Sequence, residues 1–215
     1  IDDVKMVSAV LTNSTFGVCF RGMMSNVRIS EIKDLQELGV LHSFVAKAIL
    51  SLQMRAPEHF KCWPEIKVLN PFDAADQSKY LQILLPTLMG ENLALMTDIG
   101  CYHKYLHAGN WTLAGEIVDL DSLRHPSIDI SDAVEISIAS RIVDYQSTAQ
   151  GTKEALSEIK NINPAAQAVM ALCKSYFTAR RDSSTFTPFE QLIEDMSFRR
   201  SPRIEEFIEP RILSP

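Results

Sequence analysis

Glycine is scarce in this chain, at eight residues in 215, and no glycine–serine stretch occurs. A sequence so built has no flexible tether between separate bodies, and its length suits one well-buried core. Long apolar runs are also missing. The longest, residues 80–89, is interrupted by Gln82, Pro86 and Thr87, and falls short of the roughly 20 residues a membrane-spanning helix needs. Basic charge is in deficit, with 21 Lys and Arg against 27 Asp and Glu and a net charge of −6. Bulk attraction to nucleic acid or to anionic lipid is disfavoured on that ground, because it comes from neutralising phosphate; a local basic groove is not. The four cysteines, Cys19, Cys62, Cys101 and Cys173, lie far apart and form no C-x-x-C pair. A domain of this size does not depend on disulfides, so a reduced, cytoplasmic or otherwise intracellular protein is expected. Glycosylation-type triplets begin at Asn13 and Asn110, a number that chance supplies. The chain starts at Ile1 rather than at methionine, the mark expected of a fragment or a processed form.

What the chain does have is a helical period. Leu41, Phe44, Val45, Ala48, Ile49 and Leu52 fall on one face of a helix running from Val40 to Arg55. Gly39 caps a shorter helix that begins near Ser30. Residues 57–72, with Pro57, Pro64 and Pro71, read as a connector holding one helical turn. Asp73 opens the next helix, which Pro86 should kink or end, since proline lacks the N–H that the turn requires. A further helix is expected over residues 92–107. In the second half, Asp132 with Glu135 makes a capping box for a helix through Tyr145. Asn163-Pro164, Thr187-Pro188 and Ser201-Pro202 each place a capping side chain just before a proline at the first helical position. Glu190, three residues after Thr187, completes a second capping box. In the helix 132–147 only Ser137, Ser140 and Asp144 leave a polar strip. These signals predict an all-α fold, an irregular multi-helix bundle formed by residues 1–184, with residues 185–215 as a protruding or docked C-terminal amphipathic arm. Residues 15–24 alone have the composition of a strand.

Chemistry-bearing residues are densest in "DIGCYHKYLHAGNW", residues 98–111. On a continuous helix His103 and His107 share a face, and Cys101 falls about 160° from His103. A metal site would therefore need His59 and Cys62, the H-x2-C pair of the connector, to join His103 and His107 in a tetrahedral zinc set. Glu116 and Asp119, if helical, would share a face as paired carboxylates. Walker A, dinucleotide-fingerprint, G-x-S-x-G and HExxH motifs are all absent, so no catalytic residues and no cofactor are assigned.

The arm is the most suggestive functional feature. Phe189, Leu192, Ile193 and Met196 form one short apolar stripe; Ile204, Phe207 and Ile208 form a second. Short amphipathic pieces separated by Pro202 and Pro210 cannot build a core alone and must dock, on this chain's own body or on a neighbour. Arg180, Arg181, Arg199, Arg200 and Arg203 are the candidates for RNA phosphate, with Phe186, Phe189 and Phe198 to stack on bases. The expected function is accordingly a non-enzymatic structural or adaptor subunit that acts through protein–protein assembly. It would meet a protein partner or itself through the arm, without a membrane. The alternative is a capsid or nucleocapsid-type subunit that oligomerises on RNA, and an α-helical enzyme without a linear motif comes third.

Overall fold

The computed structural model describes residues 25–55, 61–119, 122–124, 134–157, 159 and 165–181, and, in the C-terminal stretch, 183, 186, 188, 190, 191, 193 and 194. Among these residues the chain is helical without strands; only isolated bridges occur. A 3-10 turn, Ile29–Glu31, leads into α1 (Ile32–Glu37). Gly39, at φ +72°, ends α1 in the left-handed conformation that glycine adopts without strain. The Val40 N–H then reaches back to the Leu35 carbonyl and the Gly39 N–H to that of Gln36, the two bonds of a Schellman cap. The predicted cap and the helix behind it, α2 (Leu41–Arg55), are therefore both present. The connector holds one short helix, α3 (Trp63–Lys67). Asp73 caps α4 (Ala74–Lys79), accepting from the N–H groups of Ala75 and Asp76 at 2.9 and 3.0 Å.

Pro86 does not end the helical run. The backbone widens into a π turn over Tyr80–Leu84, with the Leu85 N–H bonded to the Tyr80 carbonyl, and continues as α5 (Leu85–Asp98). The turn changes the bonding register one residue before the proline, whose missing donor would otherwise break it. The expected helix over 92–107 is shorter than predicted. Gly100, at φ +82°, closes α5 with another Schellman cap, the Cys101 N–H on the Met96 carbonyl and the Gly100 N–H on that of Thr97, both at 3.0 Å. Beyond it, residues 101–119 are largely irregular backbone, and two long helices, α6 (Val134–Ser157) and α7 (Ala165–Arg181), complete the described body.

Helices α5 and α7 run parallel: Gly90 lies against Leu172, Ser175 and Tyr176, and Asp98 against Arg180. A Cβ at Gly90 would sit 2.5 Å from the Leu172 carbonyl oxygen, so glycine is what permits this approach. Tyr145 of α6 meets Tyr176 and Phe177 of α7 with ring centroids 5.0 and 5.3 Å apart, an aromatic joint between the two helices. Leu84, Leu85, Leu88, Leu93, Trp111, Leu113, Leu172 and Phe177 are among the fully buried side chains of the core formed by the described residues.

The polar strip of α6 turns inward. Asp144, Thr148 and Thr152 are buried and Ser140 nearly so, whereas Val143 is 43% exposed. Irregular backbone inside a protein needs hydrogen-bond partners that no helix or sheet provides, and this strip supplies them. Asp144 accepts from the His103 N–H at 2.5 Å. Thr148 donates to the Leu106 carbonyl at 3.1 Å and accepts from the Trp111 indole N–H at 3.2 Å.

Candidate functional site

The Cys–His stretch is tied into the fold by hydrogen bonds of its own histidines. His103 is buried, its Nε2–H donating to the Asp119 carbonyl at 3.0 Å. His107 accepts from the Gly109 N–H through Nδ1 at 3.0 Å. Cys62 belongs to a different place, buried against Glu91 with Sγ 3.9 Å from Oε2. Burial first, and then the nearby Glu91 carboxylate, push its thiol up to about 12, which keeps it a poor ligand and a poor nucleophile at neutral pH. Among the described residues no three His, Cys, Asp or Glu side chains gather to hold a metal. Cys62, His103 and His107 thus form no ligand set, and His59 lies outside the described residues. Asn110 is buried and donates to the Tyr105 carbonyl at 2.8 Å, so the glycosylation-type triplet there is closed to modification in the folded chain.

Glu116 and Asp119 do not share a helix face. A turn at Gly115 (φ +72°) separates Thr112 from Glu116, whose carboxylate accepts from the Thr112 hydroxyl and the Ser25 N–H; Asp119 is itself left-handed at φ +63°. Outside the 107–109 turn a groove of about 550 Å³ runs along α6, lined by Ser30, His107, Gln146, Ser147, Gln150 and Glu154. Its walls offer hydroxyl, amide and imidazole groups and one carboxylate.

The strongest constellation of charge sits where the C-terminal segment meets the body. Arg180, in the last turn of α7, has no exposed surface. Its guanidinium donates through Nε to Glu190 Oε1 at 2.8 Å and through Nη2 to Oε2 at 3.1 Å, a bidentate pair. Nη1 bonds the Asp98 carboxylate at the end of α5 and the Ser183 hydroxyl, the latter at 3.2 Å. The Tyr176 hydroxyl donates to Glu190 Oε1 at 3.2 Å. Beside them the exposed Arg181 pairs with Glu194, whose side chain is 3% exposed. Burial works against the charge on Arg180, but Glu190, Tyr176 and Asp98 more than offset it and raise its pKa, so the guanidinium stays ionised.

This arrangement corrects the reading of Arg180 as an RNA contact: it is enclosed, and its donors are taken by carboxylates. Arg181 is partly satisfied by Glu194. Ile193 packs against the core, as does Phe186. The remaining candidates of the arm and of the basic set, Phe189, Leu192, Met196, Ile204, Phe207, Ile208, Arg199, Arg200 and Arg203, lie outside the described residues. Sequence reasoning missed Asp98, Tyr176, Glu190 and Glu194 as members of this cluster. A signal existed in two carboxylates four residues apart on an amphipathic helix that comes after an Arg-Arg pair. By spacing alone Glu190 reads as the closing residue of a capping box, and its carboxylate is instead committed to Arg180.

Comparison of the chain with protein-family models, with curated proteins and with solved structures finds no match to any of them.

Proposed function

We propose that this protein is a non-enzymatic structural or adaptor subunit that works through protein–protein assembly, with its C-terminal segment as the docking element. The observation that carries this reading is the surface of the α1–α3 side. Leu38, Met54, Val68 and Phe72 are 74%, 78%, 79% and 77% exposed. Gln53 ties the end of α2 to the loop after α3 by donating to the carbonyls of Ile66 and Leu69 at 3.0 and 2.9 Å, and Gln77 donates to those of His42 and Pro71 at 3.1 and 2.7 Å. The loop 68–72 therefore lies alongside α2, and large apolar side chains on both are turned to solvent. Exposed apolar surface of this kind is characteristic of interaction sites. No helix of the described residues is long and apolar enough to cross a membrane. Three thiols buried in separate surroundings, Cys62, Cys101 and Cys173, support a reducing intracellular compartment as part of the same proposal.

Size-exclusion chromatography with light scattering, read together with the ratio of absorbance at 260 and 280 nm, tests the reading. A defined oligomer or a partner complex free of nucleic acid is the expected result, and Met54→Ser with Phe72→Ser should weaken it while helicity is retained. A monomer that binds no protein would overturn it, and a large particle with a high absorbance ratio would replace it with the RNA-coat alternative.

A further inference from the structure

We propose that Glu91 is a proton-operated latch on α3: while its carboxyl carries a proton the short helix stays seated against α5, and ionisation of the carboxyl releases it.

The latch has a fixed side and a movable side. Glu91 stands in the middle of α5, among Leu88, Met89, Leu93 and Ala94 of the core. Its neighbour Gly90 packs directly on the backbone of α7, so α5 is held in place. The carboxyl itself meets the start of α3. The Lys61 N–H donates to it, and the Cys62 thiol lies 3.9 Å from Oε2. Trp63 and Ile66 of α3 are buried in the same core.

Helix α3 is the part that can give way. It is five residues long, too short to persist without its packing. Gln53 holds the carbonyls of Ile66 and Leu69, and Glu65 pairs with Lys79 at 2.8 Å on the exposed surface, where an ion pair adds little. A piece with so few anchors opens at lower cost than the whole fold.

The groups that act on Glu91 are Lys61 and Cys62, both from the connector. Glu65 and, from the π turn, Tyr80 face Cys62 instead; the Tyr80 hydroxyl is committed to the Leu113 carbonyl. Burial outweighs the help from Lys61 and Cys62, so the carboxyl titrates at about 7 rather than 4.5. Lifting α3 gives it water and restores its ordinary titration. The closed state therefore holds the proton more tightly, and rising pH favours the open one. Between pH 5.5 and pH 8 the ratio of open to closed grows about 25-fold. Because α3 runs straight into the loop bearing Val68 and Phe72, release would also break up the apolar surface described above; that consequence rests on the assembly reading, and the latch does not.

Native-state thiol labelling of the full chain, resolved by mass spectrometry, tests the latch. Each rate is divided by that of the urea-unfolded chain at the same pH. Cys62 reports the opening of α3, and Cys173, buried in α7, reports the opening of the whole fold. Cys62 should react on the order of tenfold faster than Cys173, and its normalised rate should rise about 25-fold from pH 5.5 to pH 8. In Glu91→Gln, which keeps a neutral acceptor for the Lys61 N–H, the rise should be less than about threefold. A wild-type Cys62 rate indifferent to pH, an equal rise in the variant, or equal normalised rates at Cys62 and Cys173 would each overturn the proposal. If the variant does not fold, the two wild-type comparisons decide. The measurement reads α3 whatever the oligomeric state, so a failed latch leaves the assembly reading standing, and a chain that does not assemble leaves the latch standing.

Discussion

At the scale of single residues, burial decides chemistry. Glu91 is nearly enclosed. Burial pushes its carboxyl up from 4.5 to about 7, while the Lys61 N–H and charge pull it down by less. A folded-state pKa above the unfolded one means that the native state holds the proton more tightly. The stability this contributes is full below about 4.5 and is lost as pH rises through 7. Burial raises Asp144 as well, with the same sign. Glu91→Gln should flatten the fall in stability between pH 5.5 and pH 8 and leave the variant more stable than wild type at pH 8 by on the order of 2 kcal/mol. Urea titrations of both proteins at the two pH values check this; parallel behaviour would show that Glu91 is solvated.

At the scale of elements, the helices are set by local chemistry and their spacing by glycine. An alanine at Gly90 would overlap the Leu172 carbonyl and the backbone nitrogen of Tyr176, so α5 and α7 must part, at about 1–3 kcal/mol. Gly39→Ala meets nothing within 4 Å and suffers only its left-handed φ, about 1–2 kcal/mol. Chemical denaturation measures both losses, and near-UV circular dichroism separates their causes. Gly90→Ala should disturb the signals from Tyr176 and Phe177, and Gly39→Ala should not. Asp144→Ala removes the acceptor for the His103 N–H and should cost about 1–3 kcal/mol. Amide exchange at His103, Lys104 and Leu106 should quicken, with α7 unaffected; uniform quickening would mean that the whole fold depends on this carboxylate. Caps were legible in the sequence because a cap needs only its near neighbours, as at Gly39 and Asp73. The end of α5 was not, although Gly100 stood in view. The apolar spacing of Leu95, Ile99, Tyr102 and Leu106 continues across it, and periodicity alone cannot distinguish a helix from irregular backbone with the same buried positions.

At the scale of the molecule, the C-terminal segment is joined to the body by charge as well as by apolar contact. Truncation after residue 184 would remove Glu190 and Glu194, open Arg180 to water and leave Asp98 as its carboxylate partner, a loss of about 1.5–3 kcal/mol for the charged hydrogen bonds. Truncation after residue 198 leaves the Arg180–Glu190 cluster intact and should unfold at nearly the wild-type urea concentration. Equal stability of the two truncations would show that the cluster adds nothing to the fold. The function proposed for the arm depends on the same boundary: Phe186, Glu190, Ile193 and Glu194 are its anchor on the body.

The order of residues along the chain was sufficient for an all-α body, for the start of α4, for the cap at Gly39 and for the helices over 41–55 and 165–181, because each depends on groups within a turn or two. It was not sufficient for the sign of polarity. Ser140 and Asp144 read as a polar strip whose direction the spacing left open, and the strip is an inner face; Arg180 read as a candidate for RNA phosphate, and it is enclosed. Their partners lie 41 residues away at His103 and 82 residues away at Asp98. A polar side chain is buried when distant groups arrive to satisfy it and solvated when none does, and that choice is made only when the chain has folded.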